Sequence, residues 1–459
     1  MQNTVHSVTT TVKICFRDGS EYNLPLIDPS NIGIDTYCTS ISLKEKLYTR
    51  NNNNVIGNIC ANTLSLKIIS NDGLLVSSNF SSPYYGMMNN TAYIEVNCTG
   101  DDNVTTFMGR YFVDAWENGV TASTANEVNI SAIDLLGKIK NVNLRKLRLQ
   151  RKLNVNTYLV SVLDKLNSGL PAEMHVLYNI ADLDIFKNSQ YPWQLWYNNI
   201  DRDSFENILN SIAQNTLSHL WIDRDGYFKT DWLLDDSQEE VKCTLSGSIQ
   251  LFDYGTDIAD NSFASGVDIT YIDNVSYQDS QLADIKDYPL SNGTNVINNL
   301  NLNSDKILNI NTIEIICANG NAYCKSFFNY KNSIDLNIYA TQSTTANIKI
   351  WGTTINEITN IISYNINPQN YTKDNIQINN NILRKELINT YTQGVAALIN
   401  GNLNYIYVEG LINPALKIGD IVMVQGSKLG VNNKYKIIGM DFKLGTNYRC
   451  KLDLVKVLF

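Results

Sequence analysis

The sequence predicts a mainly β chain with α segments (α+β), divided among several domains. Three observations carry this. Apolar and polar residues alternate in short runs along most of the chain, the period that turns one strand face toward a core. Turn dipeptides such as Asp18-Gly19 and Asp225-Gly226 separate these runs, and Gly there tolerates the positive φ of a tight turn. Helical spacing of apolar residues is confined to three windows. At 459 residues there is room for three or four domains of roughly 100–200 residues each, long enough to bury real cores.

From the start to Asp35, Thr10, Val12, Ile14 and Phe16 alternate, Asp18-Gly19 turns, and Tyr22, Leu24 and Leu26 return. Residues Ile41 to Leu136 form the stretch that organises the rest. A charged lead-in, a polar loop at Asn51 to Asn54 and Gly57 precede a strand with Leu64, Leu66 and Ile68 on one face. Tyr111 and Val113 then alternate with Phe112 and Asp114. A hairpin turn is expected at Glu117-Asn118-Gly119, before Val128, Ile130 and Ala132 alternate again.

Lys138 to Lys152 holds the basic cluster Lys138, Lys140, Arg145, Lys146, Arg148, Arg151 and Lys152. Leu159, Val162, Leu163 and Leu166 predict a helix over 157–166, ended by Asn167-Ser168-Gly169 and Pro171. Phe205, Ile208, Leu209, Ile212 and Ala213 predict a second over 203–216, followed by a hairpin through Asp225-Gly226. Strands are expected at VKCTLSG and SGVDITYIDN, and a long polar connection over 274–302. IDLNIYA and ANIKIWG read as paired strands. A third helix is expected over 382–399 with Gly401 beyond its end, and then a closing β meander.

Composition excludes several classes. Charged residues are 18%, against roughly 25% for an average soluble protein, and Asn, Ser, Thr and 26 Tyr fill the difference. Net charge is −9 and the pI about 5.0, which gives nucleic acid no electrostatic footprint. No aromatics interleave the basic cluster to form a stacking groove. The opening MQNTVHSVTTTVKICF lacks a signal-peptide pattern, and no run approaches the ~18 apolar residues of a membrane helix. Cys317 and Cys324 are the close cysteine pair, with no histidine beside them, so metal-site spacing is absent. Asp223 and Asp225 resemble the start of a calcium loop without its later ligands. His6, His175 and His219 lie far apart, no HExxH or GxSxG occurs, and no carboxylate pair stands out. No catalytic, cofactor-binding or metal residue is therefore assigned, and no enzyme is expected. A peptidoglycan hydrolase and a glycan-binding adhesin are the alternatives. Trp193 and Trp196 read as packing rather than as a glycan platform.

Taken in order, SxxLKEKL (Ser40 to Leu47), GNICANTLSLKI, GRYFVDAWE and EVNISAIDLL resemble the N-terminal region of tail-hub, or baseplate-hub, proteins of tailed bacteriophages and phage-tail-like particles. The helix with the WIDRDGYF hairpin extends the likeness. So does the ending NPALKIGDIVMV followed by YKIIGMDFKLG. The resemblance implies a homotrimeric structural hub with two tail-tube-like β domains, a mixed helix and hairpin region and an inserted β domain. The implied limits are 1–136, 137–240, 241–275 with 376–459, and 276–375. Implied partners are tail-tube or distal tail proteins, the central spike or tip and the tape-measure protein, with DNA only in transit and no membrane segment. The implied place is the virion tail, after synthesis in the bacterial cytoplasm. Because the hub-like strands run to Phe459, no appended lytic domain is expected.

Overall fold

The structure, a computed structural model, describes residues 7–26, 33–47, 59–120, 126–147, 153–183, 194–195, 200–232, 240–246, 251–258, 265–304, 307–330, 332–365, 376–380, 385–400, 404–426, 431–445 and 448–457. Mostly they form strands. The first section comprises β1 (Val8–Cys15), β2 (Glu21–Leu24), β3 (Thr36–Lys46), β4 (Thr63–Ser70), β5 (Tyr93–Gly100), β6 (Thr105–Val120) and β7 (Asn126–Ile133). Alternation forms them as expected: Leu64, Leu66 and Ile68 are buried while Ser65 and Lys67 are exposed. The turn expected at Glu117-Asn118-Gly119 is not there. β6 continues to Val120, and Asn118 and Gly119 pair with Val128 and Glu127 of β7.

The connecting segment holds α1 (Leu135–Ile139), β8 (Asn143–Leu147), β9 (Leu153–Asn154), α2 (Val155–Asn167), β10 (Leu177–Tyr178), β11 (Gln194–Leu195), β12 (Ile200–Ser204), α3 (Phe205–Thr216), β13 (Ser218–Ile222) and β14 (Tyr227–Trp232). The apolar stripes of α2 and α3 fall where the sequence put them, and Leu159, Val162, Leu163, Phe205, Leu209 and Ile212 share one buried cluster. Ser204 caps α3, its Oγ accepting from Asn207 N at 3.2 Å.

The remaining strands are β15 (Val241–Ser246), β16 (Leu251–Ile258), β17 (Gly266–Leu290), β18 (Gly293–Asn301), β19 (Ile307–Cys317), β20 (Ala322–Asn329), β21 (Ser333–Ala340), β22 (Thr344–Asn365), β23 (Ile376–Asn380), β24 (Asn404–Gly410), β25 (Ile421–Gly426), β26 (Val431–Leu444) and β27 (Arg449–Lys456), with α4 (Lys385–Asn400) before β24. The region 274–302, expected as a connection, is β17 and β18. Three register shifts against β22 reset the alternation of β17 and so conceal it in the sequence. The expected limit after residue 275 falls inside β17. IDLNIYA and ANIKIWG are not paired. β21 pairs with β18 and β20, whereas β22 pairs with β17 and β19. The short link between them is a corner joining two packed sheets, with Leu336, Ile338, Ile348 and Ile350 buried between.

A 13-stranded sheet joins the first section to the last, in the order β16-β24-β27-β26-β3-β4-β7-β6-β5-β1-β2, with β25 and β15 attached to β26. The seam is β3 against β26, with Leu43 opposite Phe442 and Glu45 opposite Met440. One hydrophobic cluster runs through both sections, including Leu43, Leu64 and Ile94 from one and Val408, Phe442 and Leu454 from the other. Each such side chain contributes about 1.5–3 kcal/mol on burial, so the two sections are held as one body.

Candidate functional site

The connecting segment meets this seam at the β13–β14 turn. Asp223 builds the turn: its Oδ1 accepts from Asp225 N at 3.0 Å and Tyr227 N at 2.9 Å. Gly226 adopts φ +85°, a conformation open to Gly. The turn aims Arg224 into the seam. Arg224 Nε donates to Glu45 Oε1 at 2.7 Å and Nη2 to Oε2 at 2.8 Å. Nη1 donates to Pro414 O at 2.6 Å. The guanidinium carbon lies 5.6 Å from the centroid of the Phe442 ring. Both side chains are buried, Arg224 at 4% and Glu45 at 2% exposure. Burial opposes the charge of Arg224, but the Glu45 carboxylate outweighs it and holds the guanidinium pKa above its ordinary value.

Three further contacts surround this pair. Lys436, buried on β26, bridges Asp231 of β14. Lys417 bridges Asp225 at 3.1 Å. Trp221 lies over Gly419. On the other side Asp134 caps α1, accepting from Gly137 N at 2.8 Å and Asn62 N at 2.9 Å. Burial pushes its pKa up to about 7 although both N–H groups oppose the shift. Gly137 has no room for a side chain, since a Cβ there would stand 2.9 Å from both Ala61 Cβ and Ile133 Cβ. Two clefts flank Arg224. One of about 270 Å³ is lined by residues including Tyr111, Asp134, His175 and Asp223. The other, of about 310 Å³, is lined by residues including Trp221, Lys229, Asp231 and Asp420.

The chemistry here is that of a lock. Glu45 spends both oxygens on Arg224, and both oxygens of Asp134 take backbone donors. His219 is buried, and burial, with Lys436 nearby, keeps it neutral. His175 is exposed and bonds Leu170 O at 3.0 Å; His6 lies outside the described residues. Burial pushes the Cys38 thiol up to about 12 and those of Cys98 and Cys243 up to about 11, which leaves them protonated and poor nucleophiles. Asp223 and Asp225, the start of the calcium-like pattern, serve the turn and Lys417. Among the described residues no group of three or more His, Cys, Asp or Glu could hold a metal. No described helix is long and apolar enough to cross a membrane. Of the basic cluster, Lys138 donates to Asn90 O at 3.0 Å and Lys140 pairs with Glu206 at 3.7 Å. Arg148, Arg151 and Lys152 lie outside the described residues, as do Trp193 and Trp196.

No protein-family model and no curated protein matches the chain. Solved structures do match. The crystal structure of a tail protein from Neisseria meningitidis aligns at TM-score 0.51 and 12% identity, over 97% of this chain and 96% of that one. The chain has a tail-protein fold. The 43 kDa tail protein of prophage MuSo2 from Shewanella oneidensis aligns at TM-score 0.48 and 10% identity, over 97% and 98% of the two chains. A prophage tail protein from Listeria monocytogenes aligns at 0.46 and 8%, over 97% and 94%.

The likeness to tail proteins that the motifs carry is thus borne out as a fold, and the mainly β class with it. In this tail-protein fold the junction residues Glu45, Arg224, Asp134 and Lys436 are the ones sequence reasoning missed. An Arg between two Asp in a turn looks solvated, and nothing local marks its partner.

Proposed function

We propose that this chain is the tail hub of a tailed phage or phage-tail-like particle, a structural protein rather than an enzyme. In this reading it forms a homotrimer that joins the sixfold tail tube to the threefold spike or tip. Each chain supplies two tube-like β domains, so three chains present six similar surfaces to the tube. The proposed limits follow the sequence reading, with 276–375 as the insert and β17 running unbroken across the boundary at 275. The observation that carries the reading is the β3–β26 seam: two β sections, distant in sequence, share one sheet and one core, with Arg224 pinning the connecting segment across them. A part that links two symmetries has to hold its two surfaces in fixed relation, and the seam does so. Contact with the tape-measure protein and passage of DNA through the ring belong to the same proposal, as do the virion-tail location and synthesis in the host cytoplasm.

Electron microscopy of particles decorated with a gold-labelled antibody against the chain tests this. Label confined to the distal end of the tail is the expected result. Label along the tail or on the head overturns the proposal.

A further inference from the structure

The two faces of the β18-β21-β20 sheet differ. The inward face carries Ile297, Leu336 and Ile338, all buried. The outward face, fixed by the same register, sets Tyr323 opposite Tyr339, Ser326 opposite Asn337, and Phe328 opposite Asp335. Tyr323 is 53% and Phe328 47% exposed. The Tyr323 and Tyr339 rings lie 5.7 Å apart, and Phe328 and Tyr330 lie 5.8 Å apart. Four strand steps from Tyr339 to Asp335, at about 3.4 Å each, separate these two aromatic stations by about 14 Å.

The core lies on the other face. Strand addition at the β20 edge is discouraged by the register shift between Cys324 and Ser326 and by Lys325 within it. Exposed aromatics gathered on one face mark an interaction site.

The ligand class follows from charge and spacing. Lys325 Nζ sits 4.7 Å from the Tyr339 ring centroid. Asp335 accepts from Asn299 N at 2.7 Å and from the Tyr330 hydroxyl. Among the described residues both charges of the face are engaged within it, which leaves little to attract a phosphate backbone or a charged peptide. Polar groups also interrupt the face: Ser326 and Asn337 stand between the two ring pairs, with the exposed Val296 beside Asn337 on β18, whereas the core of a protein interface is depleted of polar groups. A sugar chain has the matching pattern: each ring offers a C–H face for stacking and a polar edge for hydrogen bonds. Asn337 Oδ1, shielded and with no partner, is an acceptor that a hydroxyl can satisfy after a small side-chain rotation.

We propose that this outer face binds an uncharged polysaccharide. Tyr323 with Tyr339 stacks one sugar, Phe328 with Tyr330 stacks another, and Asn337 and Ser326 hydrogen-bond between them. The proposal does not depend on the hub reading.

The test is retention of the full chain on chitin, cellulose and insoluble starch. Retention on at least one polymer is expected, persisting at high salt. It should fall by about ten-fold or more in the double variant Tyr323→Ala/Phe328→Ala, the loss typical of aromatic anchors, with an unchanged melting temperature. If the double variant does not fold, Tyr323→Ala and Phe328→Ala carry the same test singly. No retention on any polymer overturns the proposal. Retention that high salt abolishes, or that the variants leave unchanged, overturns it as well.

Discussion

Arg224 and Glu45 stand 179 positions apart in the chain and meet through two parallel hydrogen bonds at the seam of the large sheet. The paired geometry satisfies both oxygens of the carboxylate, and Pro414 O takes a third guanidinium donor. Charges so deeply buried persist only when paired. The contact therefore fixes the connecting segment, β3 and the segment before β25 in one arrangement.

Removing either partner strands the other as a buried charge. Glu45→Ala or Arg224→Ala should destabilise the seam by roughly 3–5 kcal/mol. Glu45→Met combined with Arg224→Met should cost less than either, because both desolvation penalties vanish together. Denaturant midpoints of the full chain read this, since a chain of several cores has no single unfolding free energy. A single variant that melts like the parent would contradict the assignment.

Asp134 gives the stability a pH dependence. Burial raises its pKa from 3.8 to about 7. Between those values the folded chain keeps a proton that the unfolded chain has released. Its contribution is full below about pH 4 and is lost as pH rises through about 7. Asp134→Asn stays neutral throughout, so the variant should gain on the parent as pH rises across that window. Melting temperatures of both at matched pH values measure the gap, and parallel curves would sink the idea.

Gly137 sits in α1, where Ala is intrinsically the better helix former. Packing reverses that preference here. Gly137→Ala should destabilise by about 1–3 kcal/mol through overpacking against Ala61 and Ile133. A raised melting temperature would show that the contact yields.

Cys38, Cys98, Cys243 and Cys450 are buried, and burial raises each thiol. Brief alkylation of the native chain, read by peptide mass spectrometry, should leave these four unmodified, while denaturation exposes all of them. Native labelling at Cys98 or Cys450 would mean that the core opens readily.

Local signals proved readable and remote ones did not. Leu64, Leu66 and Ile68 declared a half-buried strand because burial follows period two. The stripes of α2 and α3 declared helices because amphipathic spacing survives in any tertiary context. Asn118-Gly119 misled because the pairing of β6 with β7 continues through it and outweighs the turn preference. β17 stayed concealed because its three register shifts break the alternation. The Arg224–Glu45 pair could not be seen at all: an ion pair between distant segments leaves no spacing to detect.

In the proposed hub, one chain carries two β sections locked side by side, and three chains complete a ring between tube and spike. Electron cryomicroscopy of the distal tail tests it most directly. Three copies are expected, each setting residues 7–136 and the sheet formed by 241–258 and 404–457 under two successive tube subunits. Six copies at that level, or three copies that each engage the tube through one section alone, would contradict it.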